Sequence, residues 1–234
     1  MTQLTEELSV LRGTVPIRGN RVTVLTSDQP LGRLFVTARA DGEWSIYGDA
    51  RALRSMALWS SLATDLKDCV IWIAKSGHRV QKVGEGFESC DLVLCHHSLQ
   101  FKSSQWKTAR SYFKNPIRET RLVQIPDESF EAPRVFRKRK PTPGMDVADF
   151  HLHANTVFIT SSRLVFRLMA SCFARLDGAT ATGAHTHLFN RAREEHLYES
   201  KGDLTMCFVA DEDWEAGHGL AELPESTVAS SRNP

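Results

Sequence analysis

Four histidines are the residues best spaced for chemistry. His151 and His153 stand two apart in Asp149-Phe150-His151-Leu152-His153, and His185 and His187 repeat the spacing in Ala184-His185-Thr186-His187-Leu188. On a β-strand, residues two apart point to the same face. If those two strands are neighbours, four imidazoles share one patch, a donor set that zinc or another borderline metal accepts. The competing reading is of surface histidines opposite charged neighbours, because no carboxylate or cysteine pair is placed with them. That reading is preferred. No cofactor is expected, and a metal-dependent enzyme on His151, His153, His185 and His187, with zinc the possible ion, is an alternative.

The other groupings are weaker. Cys90, Cys95, His96 and His97 lack zinc-finger spacing, and strand alternation sends Cys95 and His96 to opposite faces. Gly84-Glu85-Gly86 lacks the third glycine and the strand-to-helix setting of a phosphate loop, so it reads as a turn. No nucleophile elbow or kinase signature is present. Asp149-x-His151-x-His153 resembles the opening motif of PHP-type metal phosphoesterases. That motif opens a barrel domain, and too little chain follows it here to build one.

The elements that would hold these residues have a repeating order. Leu34–Ala40 and Glu43–Tyr47 flank Asp41-Gly42, a strong hairpin signal because the turn needs positive φ. Asp49 is placed to cap a helix on which Leu53, Met56, Leu62, Ala63 and Leu66 recur at helical spacing. The run from Cys69 to Ala74 reads as a buried strand, and Asp91-Leu92-Val93-Leu94-Cys95 as a second. Strand, strand, helix, strand, strand returns between Asp149 and Cys207, with Ser161 or Ser162 as the cap. The expected fold class is therefore α+β. It comprises two ββαββ units with antiparallel sheets, each with a helix packed on one face. The expected division is an N-terminal arm or edge strand at 1–33 and a first unit at 34–97. A basic connection at 98–146, a second unit at 147–210 and an acidic tail at 211–234 follow.

Composition bounds the partner. The chain has 234 residues, 41% hydrophobic and 24% charged, with a net charge of +1, so the whole molecule is no general polyanion binder. Locally the charge is uneven. From Ser98 to Pro143 there are eleven Lys or Arg against four Asp or Glu, with Trp106, Tyr112 and Phe113 among them. Basic residues interleaved with aromatics can hold phosphates and stack bases. Lys107, Arg110, Lys114, Arg137, Lys138 and Arg139 are the residues for that role. The opening residues show no basic n-region or apolar h-region, so no secretory signal is expected, no apolar stretch is long enough to span a membrane, and the five cysteines sit mostly in apolar runs. A cytoplasmic protein away from the membrane is expected. Its oligomeric state is not set by the sequence.

Gly48, Asp49 and Leu53 in the first unit, with His185, His187, Leu188, Ser200 and Leu204 in the second, carry a resemblance. The pattern resembles small α+β immunity proteins of bacterial polymorphic toxin systems. The first unit departs from it by lacking His-x-His, and the second by carrying Ser161-Ser162 where Gly-Asp would stand. The resemblance implies a non-enzymatic protein that binds and blocks a cognate toxin in the cytoplasm. Trp106, Tyr112, Asp211, Glu212, Asp213 and Trp214 are the candidate contacts. Aromatic residues would anchor the interface, and rim charges would steer encounter.

Overall fold

The computed structural model describes residues 5–17, 20–38, 43–75, 89–124, 148–180, 182–188, 203–211 and 214. The elements run in this order: β1 (Thr5–Ile17), β2 (Asn20–Ser27), β3 (Leu34–Ala38), β4 (Glu43–Gly48), α1 (Ala50–Asp65), β5 (Cys69–Ile73) and β6 (Asp91–His96). Short 3-10 turns at His97–Leu99 and Ser103–Gln105 lead into α2 (Trp106–Tyr112) and β7 (Ile117–Gln124). The chain continues through β8 (Ala148–His153), β9 (Thr156–Ser161), α3 (Arg163–Asp177), β10 (His185–His187) and β11 (Asp203–Phe208). The fold is α+β.

Two mixed sheets form. One has seven strands in the order β7-β1-β2-β5-β6-β9-β8, and the other has four in the order β10-β11-β4-β3. The pairs β2–β5, β6–β9 and β4–β11 are parallel, so the sheets are not the antiparallel ones expected. The hairpins on either side of each helix also part company. β3-β4 enters the small sheet and β5-β6 the large one, while β8-β9 enters the large sheet and β10-β11 the small one. The helices supply the physical reason. On α1, Leu53, Met56, Leu58, Trp59 and Leu62 are all buried, as are Leu164, Phe166, Leu168, Ala170 and Phe173 on α3. Those positions go round the helix rather than along one stripe, and such a helix needs a cover on both sides.

The main core accordingly joins α1 and α3 to Ile71, Ile73, Leu92, Leu94, Val157 and Ile159 of the large sheet, and to Leu34, Val36, Ile46, Leu204 and Met206 of the small one. Trp44 and Phe150 stack at 6.1 Å between the inner faces. The caps form as the sequence indicates. Asp49 accepts the Ala52 N–H at 2.7 Å, and Ser162 accepts that of Val165 at 3.4 Å.

Among the described residues before 34, the two strands form neither an arm nor an edge. β1 and β2 are interior strands, paired through Val10↔Ser27 to Ile17↔Asn20. They supply core residues on both faces, Leu8, Val10 and Leu25 inward and Val15, Val22 and Val24 outward. Burying that apolar set is worth more than leaving it in a mobile leader.

Candidate interaction surface on the outer layer

The outer face of the large sheet is covered by residues 97–113. Val15, Val22, Val24, Val70, Val93, Cys95 and Phe158 rise from the strands to meet Trp106 and Ala109. Trp106 is 1% exposed and sits edge-on to Trp72 at 5.5 Å and to Phe158 at 6.1 Å. Phe113 meets Trp72 at 5.8 Å. It also fixes a small residue beneath it, since a Cβ on Gly13 would come within 2.5 Å of its ring. Alternate sides of α2 explain the packing. Trp106, Ala109 and Phe113 are three and four apart and face inward, while Lys107, Thr108, Arg110, Ser111 and Tyr112 are turned outward.

A polar clamp holds this layer from the other side. Asp91 opens β6 and is buried. Its carboxylate accepts from Trp72 Nε1 at 3.2 Å, from the Lys75 backbone N–H at 3.0 Å and from Arg110 Nη1 at 3.1 Å. A buried carboxylate needs such partners, and three donors, one of them cationic, meet that need. At the other end of β6, His96 Nδ1 accepts the Ser98 N–H at 3.2 Å and caps the first 3-10 turn. Burial holds the His96 imidazole below its ordinary value, and the charges of His97 and Lys67 act the same way. Neither Asp91 nor His96 stands out in the sequence as a binding group. The one visible signal for Asp91 is a lone acid opening an apolar strand.

The surface left outside is basic. Tyr112 is 54% exposed. Lys107 and Lys114 are exposed and form no ion pair among the described residues. The strand cations differ, because Arg12 and Arg121 both pair with Glu119, and Arg118 pairs with Asp28. Arg110, a candidate phosphate contact, is held by Asp91. Arg137, Lys138 and Arg139 lie outside the described residues.

The candidate partner contacts separate into two groups. Tyr112 is available, and so is Asp211, whose side chain is 75% exposed beside Arg33 at 3.5 Å. Trp106 and Trp214 are buried and present no free ring. Trp214 donates its Nε1–H to the Val209 carbonyl at 3.1 Å and packs with Phe35 and Val209 on the outer face of the small sheet. Glu212 and Asp213 lie outside the described residues.

The four histidines do not gather. His151 and His153 lie on β8, an edge of the large sheet, and His185 and His187 lie on β10, an edge of the small one. Within each pair the rings are close, at 6.4 Å and 5.3 Å. The condition for a shared patch was that the two strands be neighbours, and they belong to different sheets. Register shows why. His151 is opposite Phe158 and His185 is opposite Cys207, so each pair shares a face with the outward residues of its own sheet. Among the described residues no group of three or more His, Cys, Asp or Glu is placed to hold a metal ion.

Two buried thiols are quiet. Burial pushes Cys95 up to about 11 and Cys207 up to about 12, which leaves almost no thiolate at neutral pH. No helix among the described residues is long and apolar enough to cross a membrane. No family model, curated protein or solved structure matches the chain.

Proposed function

We propose that this is a non-enzymatic binding protein, an immunity protein that captures and neutralises a cognate bacterial toxin in the cytoplasm. The observation that carries the reading is the outer face of α2. A rigid base of Trp72, Trp106, Phe113 and Phe158 holds it, and Asp91 pins its flank through Arg110. Above that base stand Tyr112 and the cations Lys107 and Lys114, exposed and with no ion pair among the described residues. A preorganised aromatic side chain with flanking charge is the usual make-up of an interface hot spot. The proposal requires a toxin gene adjacent to this one, and the test is co-expression with its product. Growth rescue and a stable complex are expected, with affinity falling by about tenfold or more in Tyr112→Ala. A toxin that is neither bound nor neutralised sinks the reading.

Nucleic-acid binding is the second reading, favoured by six Lys or Arg against one Glu over residues 98–124. Three of those cations, Arg110, Arg118 and Arg121, already serve internal carboxylates, which weakens it. Binding of random RNA or DNA that collapses between low and moderate salt would favour this reading over the first.

We further infer that the scaffold is a duplication of one ββαββ unit whose halves exchange hairpins. Matching registers support this. β6 pairs with β9 from Asp91↔Thr156 to His96↔Ser161, and β11 pairs with β4 from Asp203↔Glu43 to Phe208↔Gly48. Each register runs six residues and ends one residue before a helix cap, Ser162 or Asp49. Cys95 and Cys207 hold the same place in the two. The strand order β5-β6-β9-β8 maps onto β10-β11-β4-β3.

A further inference from the structure

We infer that β7 is a homodimerisation edge, pairing antiparallel with β7 of a second copy about a two-fold axis at Thr120. This goes beyond toxin capture and does not depend on it. Four observations converge. Among the described residues β7 pairs on one side only, with β1, so its other side presents a row of backbone donors and acceptors. It has eight residues, against five in β3, six in β8 and three in β10, the other edges. It also carries the two most exposed large apolar side chains among the described residues, Leu122 at 73% and Ile117 at 62%.

The fourth observation chooses the occupant. Laid antiparallel on itself about Thr120, the sequence Ile117-Arg118-Glu119-Thr120-Arg121-Leu122-Val123 is self-complementary. Glu119 of each protomer falls opposite Arg121 of the second copy, twice over. Ile117 falls opposite Val123 of the second copy, a residue already buried in its own core, so the gain at that pair is the cover over Ile117. Arg118 falls opposite Leu122, which the aliphatic part of its side chain can cover. Directly opposed residues share a sheet face, and oppositely charged or apolar pairs there are favourable. Pro116 lacks an N–H and, opposite Gln124 of the second copy, ends the pairing at each margin. Charged residues discourage an unrelated apolar strand, whereas the strand's own two-fold image sets each Glu119 against an Arg121, the isologous arrangement of a closed dimer. Within one protomer Glu119 already holds Arg12 at 3.1 Å and Arg121 at 2.8 Å, so its carboxylate is fixed on the shared face before the second copy arrives.

One strand edge is a small interface, so the dimer forms weakly, with a dissociation constant on the order of 10 μM. Light scattering of the full chain from about 1 μM to 1 mM should show monomer passing to dimer. Arg121→Glu and Glu119→Arg chains should each remain monomeric alone, because like charges then face each other. An equimolar mixture of the two should regain dimer, since every opposed pair is again Glu with Arg. Independently, the Thr120→Cys chain should be joined by a short bis-maleimide in high yield, while the Leu122→Cys chain and the parent should not. A parent chain that stays monomeric throughout overturns the inference. So do single variants that dimerise like the parent, a mixture that does not recover, or a Thr120→Cys chain that fails to cross-link.

Discussion

His96 ends β6 with a buried ring whose Nδ1 accepts the Ser98 N–H, and both features favour the neutral imidazole. A proton on Nδ1 would remove that acceptor and place a charge beside His97 and Lys67, against the weaker pull of Asp68. The folded-state pKa therefore lies below the ordinary 6.5, so the unfolded chain binds the proton more tightly. The resulting stability is complete above the unfolded value and is lost as pH falls through 6.5 toward the folded value. Urea midpoints measured at about pH 7.5 and about pH 5.5 should show a smaller acid loss in His96→Gln than in the parent chain. Equal losses would mean that His96 contributes no linkage. At this scale the sequence misled where one side of a short helix decided the outcome. Trp106 stands among lysines and arginines and looks like a surface contact, yet it lies on the three-residue stripe that α2 turns toward Phe158.

Each long helix is started by one side chain, and the two caps differ in charge and in bond length. Asp49 accepts the Ala52 N–H with one oxygen and the Arg33 N–H at 2.9 Å with the other, so it ties the segment ahead of β3 to the start of α1. Ser162 is a neutral cap, and its bond to the Val165 N–H is long, at 3.4 Å. Asp49→Ala should therefore destabilise by about 2 kcal/mol, and Ser162→Ala by about 1 kcal/mol or less. Chemical denaturation at neutral pH checks both, and a larger loss at Ser162 would contradict the ordering. Both caps were legible, because a short polar side chain before an apolar helical run has few other uses. β1 was not. Gly13 and Pro16 look like punctuation, but Gly13 makes room for the Phe113 ring and Pro16 sits in a strand whose partners, Asn20 to Ser27, turn back on it. Local breaker signals lost there to a long hairpin with apolar residues on both faces.

Strand order is the part of the fold that the sequence could not show. Hairpins are local, but which sheet a hairpin joins is decided by the parallel contacts β6–β9 and β4–β11, which link residues far apart in the chain, Asp91 to Thr156 and Glu43 to Asp203 among them. The result is that neither half of the chain owns a sheet. Residues 5–124 contribute five strands to the large sheet, β1, β2, β5, β6 and β7, and two to the small one, β3 and β4. Residues 148–208 supply two to each. α1 lies against α3, and cross-half ion pairs run from Arg54 to Asp177 at 3.0 Å and from Arg163 to Asp65 at 3.2 Å. The exposed pairs add little, so the apolar helix contact and twelve parallel residue pairs, six in each register, must hold the halves together. A specific protease site inserted near residue 135, outside the described residues, tests this. After cleavage the two pieces should migrate together at one-to-one stoichiometry in native conditions. They should part only in denaturant, because separation would uncover the apolar contact between α1 and α3 and free the paired edges of β6, β9, β4 and β11. Pieces that separate spontaneously after cleavage would show that each half closes its own core, and the hairpin exchange would then be wrong.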